Sequence, residues 1–397
     1  MIEIDVERLR SVGLTPAILQ HLQQAIDQTD PPEPGAAGNE PLHLMRLTEV
    51  HRETVRLHDG RDEHSARVLP RLVRALADAE TGLAVGDWLL GHRDAFGAWW
   101  VQRRLPPLTH VARRDADGRR HPVVSNVDTA LLVMGLDDDF NLRRLERYLA
   151  LVHSSALLPV IVLTKADVAT PAAIEAAFDG MRGRIAPSLD LLVVDARSPD
   201  TAALLAPYLG MGQTVVVLGS SGAGKSTLTN TLAGAALHDT GAVREHDSRG
   251  KHTTTARSLH RLPGGACVID TPGLRALRPD VDEAALGASF ADIESLAGQC
   301  RFRDCKHGDE PGCAVRAGVA PDRLRNFHKL LREARRDTMS MLERQQQVAQ
   351  WKARGRAGHA RAKAKREVAC GDRRAAALAR RSAEAPAWTG LGLPRPA

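Results

Sequence analysis

Nine residues, Gly219-Ser220-Ser221-Gly222-Ala223-Gly224-Lys225-Ser226-Thr227, have the types and spacing of a phosphate cradle, G-x-x-x-x-G-K-[ST]. The glycines let successive backbone N–H groups turn inward toward phosphate oxygens, beside the positive end of a following helix. Lys225 is placed to reach the β- and γ-phosphates, and the Ser226 hydroxyl to ligate Mg²⁺. Downstream, Asp270-Thr271-Pro272-Gly273 reads as the second acidic motif of such a site. There Asp270 would hold Mg²⁺ and the Gly273 N–H would sense the γ-phosphate. Alone that tetrapeptide is no more than a turn; its position after the cradle gives it meaning.

Upstream lies Thr164-Lys165-Ala166-Asp167, which has the form of the [NT]-K-x-D guanine box. The Asp167 carboxylate can accept two hydrogen bonds from guanine, whereas adenine offers no matching donor pair, so the wrong base leaves a polar group without partners. Lys165 would lay its stem along the base. Asp195-Ala196 stands where a backbone N–H would meet the guanine O6, although Asp is unusual at the first of these positions. Thr164 replaces the commoner Asn and forgoes one side-chain amide contact. Between cradle and Asp270, Arg249-Gly250-Lys251-His252-Thr253-Thr254-Thr255 lacks apolar periodicity and reads as a switch loop. One of its threonines, taken as Thr254, would close onto Mg²⁺ in the triphosphate state.

A second constellation is Cys300-x4-Cys305-x-His307-x5-Cys313. Three thiolates and one imidazole make a Cys₃His set for one tetrahedral, structural Zn²⁺, with no coordination position left open for catalysis. Of the other two cysteines, Cys267 falls mid-strand and reads as packed, and Cys370 lies in a basic tail.

The elements that must carry these groups alternate in type. Strands are expected at Leu131 to Met134, Val160 to Leu163, Leu191 to Val194, Val215 to Leu218 and Cys267 to Ile269, with helices at Asn141 to His153, Pro171 to Arg184 and Ser226 to Ala236. Such alternation predicts a parallel α/β sheet, whose ligands sit at the carboxyl ends of the strands. Each polar motif follows an apolar strand. Ahead of this region, Val68 to Val73, Trp88 to Leu90 and Trp99 to Val101 read as strands of a small OB-type barrel. Its tryptophans, Trp88, Trp99 and Trp100, are better suited to packing than to stacking bases. Residues 1 to about 30 read as one helix, opened by the Thr15-Pro16 cap pair, and Pro31 to Gly38 as a linker.

At 397 residues, 43% apolar and 26% charged, the chain has the composition of a soluble protein of two or three domains. No stretch reaches bilayer length and the first residues carry no signal-peptide pattern, so it reads as cytoplasmic, without membrane contact. Five cysteines exclude a disulfide scaffold. A net charge of +6 points to a polyanionic partner where the cations cluster, as they do from Lys352 to Arg366.

Ordinary GTPases place the guanine box last. Here it precedes the phosphate loop, a circular permutation, and with that order the chain resembles the permuted ribosome-biogenesis GTPases of the RsgA (YjeQ) family. The resemblance rests on the motifs above, together with Ala84-Val85-Gly86-Asp87-Trp88 and Asn126-Val127-Asp128, and covers roughly residues 65 to 365. It implies GTP/GDP and Mg²⁺ at the phosphate loop, one structural Zn²⁺, and a monomer that binds the small (30S) ribosomal subunit and its rRNA late in maturation. The expected domains are an N-terminal helix and linker (1–40), an OB-like barrel (41–115), a permuted GTPase domain (120–280), a helical zinc-binding module (281–350) and a basic tail (351–397). Leu274 stands where Ras-type enzymes carry a water-orienting Gln, so unassisted hydrolysis should be no faster than about 10⁻⁴ s⁻¹. The family points to His252 as the group that positions the water. From the residues alone, two other readings fit: an RNA-binding scaffold with a structural nucleotide, and a P-loop NTPase with no ribosomal role.

Overall fold

The computed structural model describes residues 2–27, 41–115, 119–237, 257–271, 278–281 and 283–337. The chain begins with a short strand, β1 (Ile2–Glu3), and two helices, α1 (Val6–Arg10) and α2 (Pro16–Asp27). The helix expected after the Thr15-Pro16 cap pair is α2, unbroken; β1 and α1 ahead of it are additional elements that the sequence pattern does not announce. The predicted cap is present: the Thr15 hydroxyl accepts a hydrogen bond from the Ile18 N–H at 3.2 Å.

Five strands follow, β2 (Leu42–Val50), β3 (Val55–His58), β4 (Glu63–Val68), β5 (Trp88–Arg93) and β6 (Trp99–Arg104). They pair in the order β2-β3-β4-β6-β5, and β5 returns to β2, closing an OB-like barrel. The expected strand from Val68 to Val73 is a correction: β4 ends at Val68 and Pro70 opens a helix, α3 (Pro70–Asp78). Proline at the first helical position has its φ preset and loses no needed N–H, which turns an apolar run into a helix start. Trp88 is fully buried among Leu9, Ile18, Leu22 and Leu90, and Trp99 packs against the His43 and His64 rings at 5.4 and 5.3 Å. Both serve packing.

A hairpin, β7 (His110–Arg114) and β8 (Arg120–Ser125), leads into the α/β region. That region runs β9 (Thr129–Gly135), α4 (Leu142–Ser154), β10 (Leu158–Thr164), α5 (Pro171–Met181), β11 (Asp190–Val193), α6 (Asp200–Leu205), β12 (Thr214–Gly219), α7 (Lys225–Ala233), β13 (Ser258–Arg261) and β14 (Cys267–Asp270). The sheet order is β11-β10-β9-β12-β14-β13, parallel except for β13, and Ser258 of β13 pairs with Glu49 of β2 to join it to the barrel. Every residue of β9 and β12 is buried, as strands covered on both faces must be. Period-2 alternation sorts them. Ala130, Leu132, Met134, Val216 and Leu218 pack under α4, while Leu131, Val133, Val215 and Val217 face Leu228 and Leu232 of α7.

The last elements are β15 (Arg278–Pro279), α8 (Glu283–Ser289), α9 (Ala291–Ala297), α10 (Ala314–Gly318) and α11 (Pro321–Asp337). α8 and α9 are separated at the buried Phe290, whose backbone is non-helical (φ −125°, ψ 45°). β15 pairs with β7, and Asp280 just beyond it accepts from Arg114 at 2.7 Å and lies 2.6 Å from Arg120. The linker at 31–38 and the basic tail lie outside the described residues.

Candidate functional site: a phosphate loop, a base box and a thiolate cluster

The phosphate loop leaves β12 at Gly219 and enters α7 at Lys225. Gly224 caps α7 in the left-handed region (φ +89°), and a Cβ there would crowd the Thr164 hydroxyl at 3.3 Å. Lys225 is buried and its Nζ donates to the Ser220 carbonyl at 2.7 Å, so the ammonium lies folded over its own loop. The Ser226 hydroxyl faces Asp270 Oδ2 at 3.4 Å, and Asp270 is only 1% exposed. A buried carboxylate beside a hydroxyl is the oxygen-rich pair a hard cation takes. Next to it, Thr271 donates to the Val217 carbonyl at 2.7 Å and fixes the end of β14 against β12.

The base box is brought to this loop from β10, which β9 separates from β12 in the sheet. Thr164, the last residue of β10, donates its hydroxyl to the Ala223 carbonyl at 2.7 Å and lies within reach of the Met134 carbonyl at 3.2 Å. Thr164 is thus a strut between the box and the phosphate loop, a role the sequence did not suggest. Lys165 adopts a left-handed backbone (φ +63°), and its ammonium pairs with Asp137 at 2.5 Å. Asp167 is exposed at the rim. Asp195 and Ala196 follow β11: the Ala166 N–H donates to the Val194 carbonyl at 3.3 Å, and Thr231 of α7 donates to the Ala196 carbonyl at 2.6 Å. Three chain segments, around 164, 195 and 223, therefore form one surface. His252, Thr254 and Gly273 lie outside the described residues, as does Leu274.

The turn after β9, Asp137-Asp138-Asp139, belongs to none of the sequence motifs. Asp139 accepts from the Ser220 hydroxyl, with both carboxylate oxygens at 2.6 Å, and pairs with Arg144 of α4 at 2.9 Å. The available signal was its position at the carboxyl end of a buried strand, the same clue that located the other motifs.

The thiolate cluster is assembled by the loop from α9 to α10. The ligand atoms of Cys300, Cys305, His307 and Cys313 all lie within 4.8 Å of one another. Cys300 Sγ is 3.6 Å from His307 Nδ1 and 4.0 Å from Cys313 Sγ, and Cys313 Sγ is 3.7 Å from His307 Nδ1. Zn–S bonds of about 2.3 Å and Zn–N bonds of about 2.0–2.1 Å place tetrahedral ligand atoms roughly 3.5–3.8 Å apart, so the set fits zinc. Backbone N–H groups of Val315 and Ala314, at the start of α10, hold the Cys300 thiol below its usual pKa, while the neighbouring Cys313 and Cys300 sulfurs push the Cys305 thiol up to about 11. The Arg316 N–H donates to Cys313 Sγ at 3.3 Å.

Comparison with known proteins fits this geometry. A model of the RsgA GTPase family matches residues 106–279. A small ribosomal subunit biogenesis GTPase RsgA from Xanthomonas axonopodis pv. citri is 46% identical over 298 residues, covering 72% of this chain and 80% of that protein. The chain belongs to the RsgA GTPase family. Another RsgA relative, from Xanthomonas euvesicatoria pv. vesicatoria, is 47% identical over 274 residues, covering 67% of this chain and 73% of that protein. The RsgA fold is also visible in two solved structures. YjeQ from Thermotoga maritima aligns with a TM-score of 0.53 at 22% identity, over 73% of this chain and 98% of that one. YloQ, described as a circularly permuted GTPase, aligns with a TM-score of 0.50 at 21% identity, over 75% of this chain and 97% of that one. An ABC transporter model matches residues 205–389. It shares the phosphate loop and Asp270 with the RsgA match but omits the box at 164–167, which the fold joins to that loop.

Proposed function

We propose that this chain binds GTP across the surface formed by residues 164–167, 195–196 and 219–227, and hydrolyses it on the small ribosomal subunit during late maturation. The observation that most supports this reading is the 2.7 Å contact from Thr164 to Ala223, which makes the base box and the phosphate loop two walls of one site. Gly219 to Thr227 would wrap the phosphates, Asp167 and Lys165 would select and cover guanine, and the Ala196 N–H would meet its O6. Mg²⁺ would be held by Ser226 and Asp270, with Thr254 and the Gly273 N–H closing on the γ-phosphate side; it would neutralise charge developing on the phosphoryl oxygens. His252 is assigned the positioning of the attacking water. Cys300, Cys305, His307 and Cys313 would hold one Zn²⁺ that organises the C-terminal module and takes no part in the reaction.

Contact with rRNA is assigned to the C-terminal module. Arg325, Lys329, Arg332 and Arg336 recur at 4, 3 and 4 residues along α11, so they line one exposed helical face. A one-signed stripe of this length suits a phosphate backbone, whose binding weakens steeply with salt. We place the protein in the cytoplasm as a monomer; no described helix is long and apolar enough to cross a membrane. GTP turnover with and without purified small subunits tests the reading. Subunits should accelerate turnover at least tenfold over the slow basal rate, on the order of the gain a positioned water-orienting group supplies. Turnover indifferent to subunits would reject it.

A further inference from the structure

The turn Asp137–Asp139 lies outside every motif of the nucleotide site, yet it touches both of its walls. Asp137 holds the Lys165 ammonium at 2.5 Å with the two side chains 42% and 30% exposed. Asp139, 16% exposed, takes the Ser220 hydroxyl at 2.6 Å and is steadied by Arg144 at 2.9 Å. The Asp139 N–H in turn donates to Asp137 Oδ1 at 3.1 Å, so the two carboxylates are positioned by one turn. The strand end beneath is shaped for this. A Cβ at Gly135 would lie 2.5 Å from Asp137 Oδ1 and 3.2 Å from Lys165 Nζ, so a side chain there would push the pair out of its present place. Lys165 also holds a left-handed backbone that side chains seldom adopt, a conformation that persists where the surroundings offset its cost.

We infer that Asp137 and Asp139 are positioning residues of the nucleotide site: Asp137 sets the base-covering lysine, and Asp139 sets the phosphate loop through Ser220. The inference deepens the guanine-nucleotide reading and rests on it. Its physical content is preorganisation. A loop tied down before the ligand arrives loses less freedom on binding, so the nucleotide is held more tightly without any contact to the carboxylates themselves. Placing both restraints on one turn also makes the base wall and the phosphate wall rigid relative to each other.

The test is GDP affinity of the full chain, measured by isothermal titration calorimetry. Asp137→Asn should weaken GDP roughly fivefold, the upper range for a half-exposed ion pair. Asp139→Asn should weaken it roughly tenfold, as expected for a charge-assisted hydrogen bond in a shielded position. Asp137→Glu, which keeps the charge within reach of the flexible lysine, should restore affinity to within about twofold. Two double-mutant cycles make the assignment specific: Asp139→Asn with Ser220→Ala, and Asp137→Asn with Lys165→Met, should each lose little more than the larger single change. Fully additive losses, or GDP affinity unchanged while the nucleotide-free protein melts earlier, would show that the turn serves the fold alone and overturn the inference. If the two variants match an unchanged chain that binds GDP well, the inference fails and the nucleotide reading stands. If the unchanged chain does not bind GDP at all, both fail.

Discussion

Arg323 of α11 donates to Glu146 of α4 at 2.8 Å, with both side chains no more than 3% exposed. The guanidinium also forks onto Asp292 at 2.8 and 2.6 Å and lies 4.6 Å over the Phe290 ring. Glu146 takes a second donor, Asn326, at 2.5 Å, and Arg184 spans Glu146 and Asp322. Three helices, α4, α9 and α11, and the loop after α5 are therefore joined by one ionic network centred on the buried Arg323–Glu146 pair. Removing one member strands the others in low dielectric. Arg323→Ala should cost about 3 kcal/mol, at the lower end for a broken buried pair because Arg184 and Asn326 remain on Glu146. Chemical denaturation of the full chain measures this. A loss below about 1 kcal/mol would mean that water reaches the network.

The Thr164 strut predicts a different effect. Thr164→Val keeps the shape but removes the donor to the Ala223 carbonyl, leaving a buried acceptor unmet. Stability should fall by about 1–2 kcal/mol, and GTP affinity should fall with it because the phosphate loop loses a tether. Thermal melting and GTP titration on the same preparation check both halves.

Base choice is expected to reside in Asp167. Asp167→Asn should shift preference from GTP toward xanthosine triphosphate by at least about a hundredfold in relative kcat/KM, since a donor then faces the position where guanine offers donors. Competition kinetics between the two nucleotides reads this directly.

Zinc content should be one ion per chain, measured by elemental analysis, and Cys313→Ser should abolish it. Cys313 also belongs to the core that holds Phe290, Val315 and Leu324, so a chelator should lower the melting temperature of the full chain.

Acid sensitivity has an identifiable contributor in His110. Burial, with Arg104 and Arg120 nearby, pushes its pKa down to about 4, below the ordinary 6.5. The unfolded chain then binds this proton more readily than the folded one. The stabilising contribution is whole above pH 6.5 and drains away as pH falls toward 4, to a total of roughly 3 kcal/mol at most. His110→Gln should flatten that part of the stability profile relative to the unchanged protein, as followed by denaturation between pH 7 and pH 4.

The sequence alone determined the chemistry and the class of fold. A phosphate loop, an acidic motif and a thiolate set are short and local, and each requires particular residue types at fixed spacing, so Gly219 to Thr227 and Cys300 to Cys313 were legible without coordinates. Buried strands advertise themselves by unbroken apolar runs, which located β9, β10, β12 and β14. Only the tertiary structure decided how these pieces hold one another. Asp137, Asp139, Glu146 and Arg323 belong to no motif; their partners lie 28, 81, 177 and 31 residues away along the chain. The helix at Pro70 and the break at Phe290 escaped for the related reason that apolar content alone does not separate strand from helix or show where a helix interrupts itself. Charge pairs across a fold carry no periodicity, and they become visible only when folding has excluded water and brought the partners within reach.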